Sequence, residues 1–358
     1  MGEHPAPGLE KGERYLKALL LVDANRFEYV DVPEPAIGKE DVLIRVKACG
    51  ICGSDVHGMD GSTGRRQPPI VMGHEASGII AGVGSGVTEW VEGERITFDS
   101  TVYCGHCRFC RQGRINLCDD RRVLGVSCDD YRQNGAMAEY VAVPQHILYR
   151  LPTEVSFEQG ALIEALSIAV HAVQRTSLHL NDIAVVVGTG VIGLLIVQVL
   201  RAAGCGIIIA VDIDQSRLDL ARELGVDIVL NSEKQDVVAE VLKLTKEQGA
   251  DCAFEVVGNK DSFKTAATLL SKGANLTLVG NLSTEVILPL QAVVTREISF
   301  NGSCTSSGEY PACLDMVARG SIRVDPLISA AAPLSEGASW FCRLYQREEG
   351  LIKVLLRP

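Results

Sequence analysis

IAVVVGTGVIGLLIVQVL, residues 183–200, decides the fold. It is almost wholly apolar over a length that would cross a bilayer. However, Gly188, Gly190 and Gly193 cluster in its middle, and no lysine or arginine anchors its start. A buried strand, a tight turn and a buried helix are expected instead of a membrane span. The turn reads G-x-G-x-x-G. Gly188 permits the tight turn, Gly190 lets backbone approach a pyrophosphate, and Gly193 lets helix pack closely on strand. Val191 and Ile192 open the helix, where free N–H groups and the positive dipole end face phosphates.

Toward the C-terminus the texture alternates. Strands are expected at 183–187, 207–212, 227–230, 251–257 and 275–279, and helices at 191–203, 215–224, 234–248 and 261–271. Such alternation implies a doubly wound parallel sheet with crossover helices on both faces, an α/β class. The strand IIIAVDI ends on Asp212. A carboxylate there accepts hydrogen bonds from the ribose hydroxyls of NAD and repels the extra phosphate of NADP; the competing reading is a helix cap. Arg217 lies close enough to flank the adenosine, which keeps dual cofactor use open. After residue 300 a helix at 309–319 and a final strand, IKVLLR, are expected to rejoin the first domain. Toward the N-terminus, residues 15–48, 70–100 and 138–144 hold short apolar runs broken by Gly and Pro, which suggests a mostly-β, partly barrel-like antiparallel domain. The expected boundaries are 1–160, 161–300 and 301–358.

Two metal sites are expected in the first domain. YCGHCRFCRQGRINLC, in a lobe at about 100–122, brings Cys104, Cys107, Cys110 and Cys118 to C-x2-C-x2-C-x7-C spacing. Four thiolates close a tetrahedral zinc site and leave no position for substrate, so this one reads as structural. A disulfide cluster would need an oxidising compartment. The segments CGICGSDVH (49–57) and MGHEASG (72–78) supply Cys52 and His74, with Glu75 adjoining. Glu164 lies in the apolar run ALIEALSIAV, where a carboxylate is costly unless paired, hydrogen-bonded or bound to metal. Each residue has a plainer reading: a packed thiol, an ordinary histidine, an ion-pair partner. Cys49 and Cys52 also form C-x-x-C, but no thioredoxin-like unit surrounds them.

The 358 residues suffice for two domains, and 47% hydrophobic with 22% charged residues is ordinary for a globular protein. A net charge of −11 disfavours nucleic-acid binding, and with it a zinc-ribbon module. Arg108, Arg111 and Arg114 in the cysteine lobe read as a solvated rim. Twelve cysteines behind a charged, proline-bearing start fit a reducing cytoplasm. Ala6 stands where a myristoylation signal needs Ser or Thr.

In their order along the chain, CGICGSDVH, GHEASG, the four-cysteine lobe, LIEALSIAVHA, VVVGTGVIG with Asp212, TREISFNG (295–302) and EGLIKVLL resemble the medium-chain zinc alcohol dehydrogenases, in their polyol (sorbitol) dehydrogenase-like branch. The resemblance implies a Rossmann doubly wound sheet inserted in a GroES-like mostly-β catalytic domain, with the active site in the cleft. It implies catalytic zinc on Cys52 and His74, with Glu75 and Glu164 both in reach of the metal, and a second, structural zinc. It implies Ser54 and His57 as a proton relay and places Arg296 and Glu297 near substrate, against a plain salt-bridge reading of that pair. The implied activity is NAD-dependent hydride transfer to or from a polyol or other secondary alcohol. Threonine or sugar-phosphate polyol dehydrogenation is the nearest rival, and a catalytically retired NAD-binding protein the rival of another class. A homo-oligomer is implied, a tetramer before a dimer. The glycines near 258 and 280 are candidate close-approach points for nicotinamide, and GMDGSTGRRQPP (58–69) a pocket rim whose arginines otherwise face solvent.

Overall fold

The structure is a computed structural model describing residues 14–358. The expectations about targeting signals fall on residues 1–13 and lie outside it. The apolar run splits as expected: Ile183–Val187 is a strand, Gly188 turns at φ +99°, and Val191–Ala202 is a helix. Among the described residues no helix is long and apolar enough to cross a membrane.

Six parallel strands follow the order Ile228–Asn231, Ile207–Asp212, Ile183–Val187, Ala250–Glu255, Leu270–Leu278, Ser299–Gly302. The order reverses between the third and fourth strands named, which opens a ligand crevice beyond their carboxyl ends. Both faces are covered, so Val185, Val186, Ile208 and Ile209 are all inaccessible to water. The predicted strands and helices recur with shifted ends. The helix expected at 234–248 shortens to Val237–Leu244, because Asp236 caps its start and Lys246 and Glu247 take positive φ beyond its end. Elements beyond those expected include the helices Ile163–Gln174, Leu290–Arg296 and Gly337–Tyr345 and the strands Ser299–Gly302 and Ile328–Pro333.

The remainder is built on an antiparallel sheet in which Asp41–Gly50 is central, flanked by Glu75–Val83, Tyr140–Pro144 and Lys353–Arg357. Lys353–Arg357 brings the end of the chain back to the start, pairing Leu355 with Gly50 and Leu356 with Cys49. The helix Ile163–Gln174 joins the two halves. Its apolar residues share one buried cluster with Ala48 and Leu355 of the first sheet and Leu194 and Ile208 of the parallel unit. Glu164, in its first turn, therefore sits at the junction.

Candidate active site

At the nucleotide turn, a Cβ on Gly193 would stand 1.9 Å from Gly188 O, so only glycine lets the helix meet the strand. Gly190 meets nothing within 4 Å and leaves room for a ligand's approach. Asp212 ends its strand with both carboxylate oxygens engaged: Thr189 donates through N at 2.6 Å and Oγ1 at 2.8 Å to Oδ2, while Ile213 N and Asp214 N donate to Oδ1 at 2.8 and 3.0 Å. The helix cap proper is Asp214, which accepts from Ser216 N and also pairs with Arg217 at 3.5 Å. Gly258 and Gly280 make room for each other: a Cβ on Gly280 would lie 2.2 Å from Gly258 N.

Cys52, His74 and Glu75 bring ligand atoms within 4.8 Å of one another. Cys52 precedes the short helix Gly53–Gly58, and Glu75 opens the strand Glu75–Val83. Lys353 Nζ lies 2.9 and 2.6 Å from the two Glu75 oxygens, and the pair is almost wholly buried. Behind His74, Asp55 Oδ1 lies 3.4 Å from Nδ1 and takes Arg66 Nη2 at 2.7 Å. Burial disfavours a charged His74, yet the Asp55 and Cys52 charges outweigh it and hold its pKa well above the ordinary value. Burial likewise works against an ionised Asp55, but His74 and Arg66 keep its pKa well below the usual range. Glu164 is outside the tight cluster. Burial first, then the charges of Glu75 and Asp99, push it up to about 7 against His74 and Lys353. Its Oε1 accepts from Ser100 Oγ at 3.4 Å, and its Oε2 is buried without a partner among the described residues. A bare, buried carboxylate oxygen beside a thiol and an imidazole is what a divalent cation would satisfy, so the donor set fits zinc. Ser54 and His57 stand exposed on the helix Gly53–Gly58.

Cys104, Cys107, Cys110 and Cys118 also lie with all four sulfurs within 4.8 Å. Backbone N–H groups of Cys107, Cys110 and Cys104 point at the sulfurs of Cys104, Cys107 and Cys118, at 3.3, 3.5 and 3.3 Å. The Cys107–Cys110 separation of 3.5 Å is too long for a disulfide, and all twelve cysteines are free.

The "Alcohol dehydrogenase GroES-like domain" family matches residues 38–153, and "Zinc-binding dehydrogenase" matches 191–319. Sorbitol dehydrogenase of Bacillus subtilis (strain 168) is 32% identical over 347 residues, 96% of this chain and 97% of that protein. The chain belongs to the zinc-dependent medium-chain dehydrogenases, in their polyol-dehydrogenase branch. Two solved structures share its fold at TM-score 0.88 and 30% identity. One is an Escherichia coli CFT073 alcohol dehydrogenase complexed with NADH, covering 96% of this chain and 99% of its own. The other is a Sinorhizobium meliloti 1021 chain described as a zinc-binding dehydrogenase bound to NADP, covering 96% and 100%. This dehydrogenase is thus an oxidoreductase that moves hydride between an alcohol and a nicotinamide nucleotide, in a family that binds zinc.

Sequence reasoning missed three residues of this dehydrogenase's site. Asp55 lies inside the quoted CGICGSDVH, but its partner Arg66 and the Glu75 partner Lys353 are set only by tertiary structure. The expectation for residues 58–69 is corrected at Arg66, which is buried behind His74 and is neither rim nor solvent-facing. Arg296 and Glu297 lie beside the parallel sheet. Arg296 Nη2 donates to Leu270 O, at the amino end of the strand Leu270–Leu278. Glu297 follows in the left-handed region, at φ +51°.

Proposed function

We propose that this chain is an NAD-dependent polyol dehydrogenase that oxidises a secondary alcohol of a polyhydroxylated substrate and reduces the matching ketone. The observation that carries the proposal is the unpartnered Glu164 Oε2 beside the Cys52–His74–Glu75 cluster. Cys52, His74, Glu75 and Glu164 would hold the catalytic zinc, with Lys353 neutralising Glu75 and leaving Glu164 as the uncommitted anion. When bound, zinc supplies Lewis acidity at the substrate oxygen, and the nicotinamide ring gives or takes the hydride. Ser54 receives the hydroxyl proton and His57 passes it to solvent, which suits their exposed places on one short helix. Gly188, Gly190 and Gly193, with the N–H groups of Val191 and Ile192, receive the pyrophosphate. Asp212 receives the adenosine ribose, and Arg217, drawn to Asp214, leaves that carboxylate unneutralised, which favours NAD.

The same reading assigns a second zinc to Cys104, Cys107, Cys110 and Cys118 and divides the chain into units 1–160, 161–300 and 301–358. It places the enzyme in the cytoplasm and makes it a homo-oligomer, a tetramer before a dimer. Exposed Ile287, Leu288, Leu290 and Val294, beside the open edge of Ser299–Gly302, support self-association. A panel of polyols assayed with NAD and NADP, on wild type and Cys52→Ser, tests the function. Turnover is expected with NAD and a polyol, and its loss in Cys52→Ser with NADH binding kept. A Cys52→Ser enzyme as active as wild type would overturn the proposal.

A further inference from the structure

His74 turns one ring nitrogen away from the proposed metal. Nδ1 lies 3.4 Å from Asp55 Oδ1 and satisfies no closer hydrogen bond. Asp55 is completely buried. The same oxygen receives Arg66 twice, Nη2 at 2.7 Å and Nε at 3.2 Å, while Oδ2 accepts the Cys52 N–H at 3.3 Å. Arg66 is only 4% exposed, and its Nη1 donates to Arg65 O at 2.9 Å. Gly58 makes the path for it: a Cβ there would stand 2.8 Å from Arg66 Cγ. Among the described residues Asp55 is the one carboxylate that pairs with Arg66. Burying a guanidinium is costly unless its charge and hydrogen bonds are used.

A metal-bound imidazole is oriented through its other nitrogen, and a carboxylate does this when it is itself held in place. Asp55 spans both ligand segments, reaching Cys52 through one oxygen and His74 through the other. We propose that Arg66 is a positioning residue for the catalytic metal: through Asp55 it fixes the ring and tautomer of His74, so that Nε2 is offered to the cluster. The inference rests on the reading of Cys52 and His74 as zinc ligands. Arg66 is buried and acts through Asp55.

The test is zinc retention by the full-length protein under an excess of chelator, followed as zinc per chain, with thermal unfolding alongside. Arg66→Met is expected to weaken the catalytic zinc by about 10–100-fold, while the four-cysteine zinc leaves at the wild-type rate. Arg66→Lys keeps a cation but loses the two-pronged contact, so its retention should fall between the two. Asp55→Asn is expected to lose zinc as Arg66→Met does, and the double variant no faster, because both act on one carboxylate. If Arg66→Met does not fold, Arg66→Lys decides: weakened retention supports the inference and wild-type retention overturns it. Unchanged or tighter retention in a folded Arg66→Met also overturns it. A wild type whose zinc content matches that of Cys52→Ser would instead sink the metal assignment itself, so the two failures are distinguishable.

Discussion

Asp99 is a second buried carboxylate close to Glu164. Thr101 N donates to it at 2.8 Å, and Ser306 Oγ stands at 3.5 Å. Burial lifts its pKa to about 6, with the Glu309 charge adding to the rise. Unfolded, the same group titrates near 3.9. Between those values the folded chain keeps a proton that the unfolded chain has lost, so stability declines as pH rises through the window. Above it the charged form costs on the order of 3 kcal/mol. Asp99→Asn removes the charge while its amide can still accept from Thr101 and meet Ser306. The variant is expected to match wild type near pH 4 and to exceed it by about 1–3 kcal/mol near pH 8, read by thermal unfolding at both ends. A gap between the two proteins that stays constant with pH would mean Asp99 is not held protonated by burial.

The strand–turn–helix at 183–202 separates two roles of glycine. Gly193→Ala sets a Cβ 1.9 Å from a backbone oxygen that cannot turn aside, so the helix must lift from the sheet. Gly190→Ala meets no protein atom within 4 Å, and its φ of −68° suits alanine. The first change is expected to lower stability by about 1–3 kcal/mol and to weaken NADH together with it. The second should weaken NADH while leaving the unfolding temperature in place. Fluorescence titration beside thermal unfolding checks both, and a Gly190→Ala protein binding NADH normally would remove the close-approach argument. These elements were legible because each local choice agrees with the fold: an apolar run, a glycine turn and a second apolar run. Ser299–Gly302 escaped notice because four residues with two partly exposed ones carry no clear period. The site divides in the same way. Cys52, His74 and Glu75 sit in short motifs, whereas the Lys353–Glu75 contact joins residues 278 apart and leaves no local trace. Arg296 also stands in a short motif, while its contact with Leu270 O is set by tertiary structure.

Across the whole molecule, the four-cysteine lobe is fastened to the segment that leads into the helix Tyr310–Ala318. Asn116 Nδ2 donates to Cys304 O at 2.8 Å and stands 3.3 Å from His171 Nε2; Ser307 Oγ donates to Gly113 O at 2.8 Å. Arg121 Nη1 reaches Cys304 Sγ at 3.2 Å. His171 is on the Glu164 helix and is held from its other side by Glu309 at 2.7 Å. The lobe thus bears on the junction from outside while its own sulfurs stay in the lobe. Without a cation, four thiolate-forming sulfurs within 4.8 Å would repel one another as they ionise, so the proposed zinc would hold the lobe together. Cys107→Ser is therefore expected to remove one zinc per chain and lower the unfolding midpoint by about 5–10 °C. Protein that stays folded should retain kcat and the NADH affinity, because Cys52, His74 and Asp212 belong to other segments. Metal analysis, calorimetry and kinetics on one preparation check this. Loss of turnover at unchanged stability would mean that the proposed second zinc takes part in catalysis and not in holding the junction.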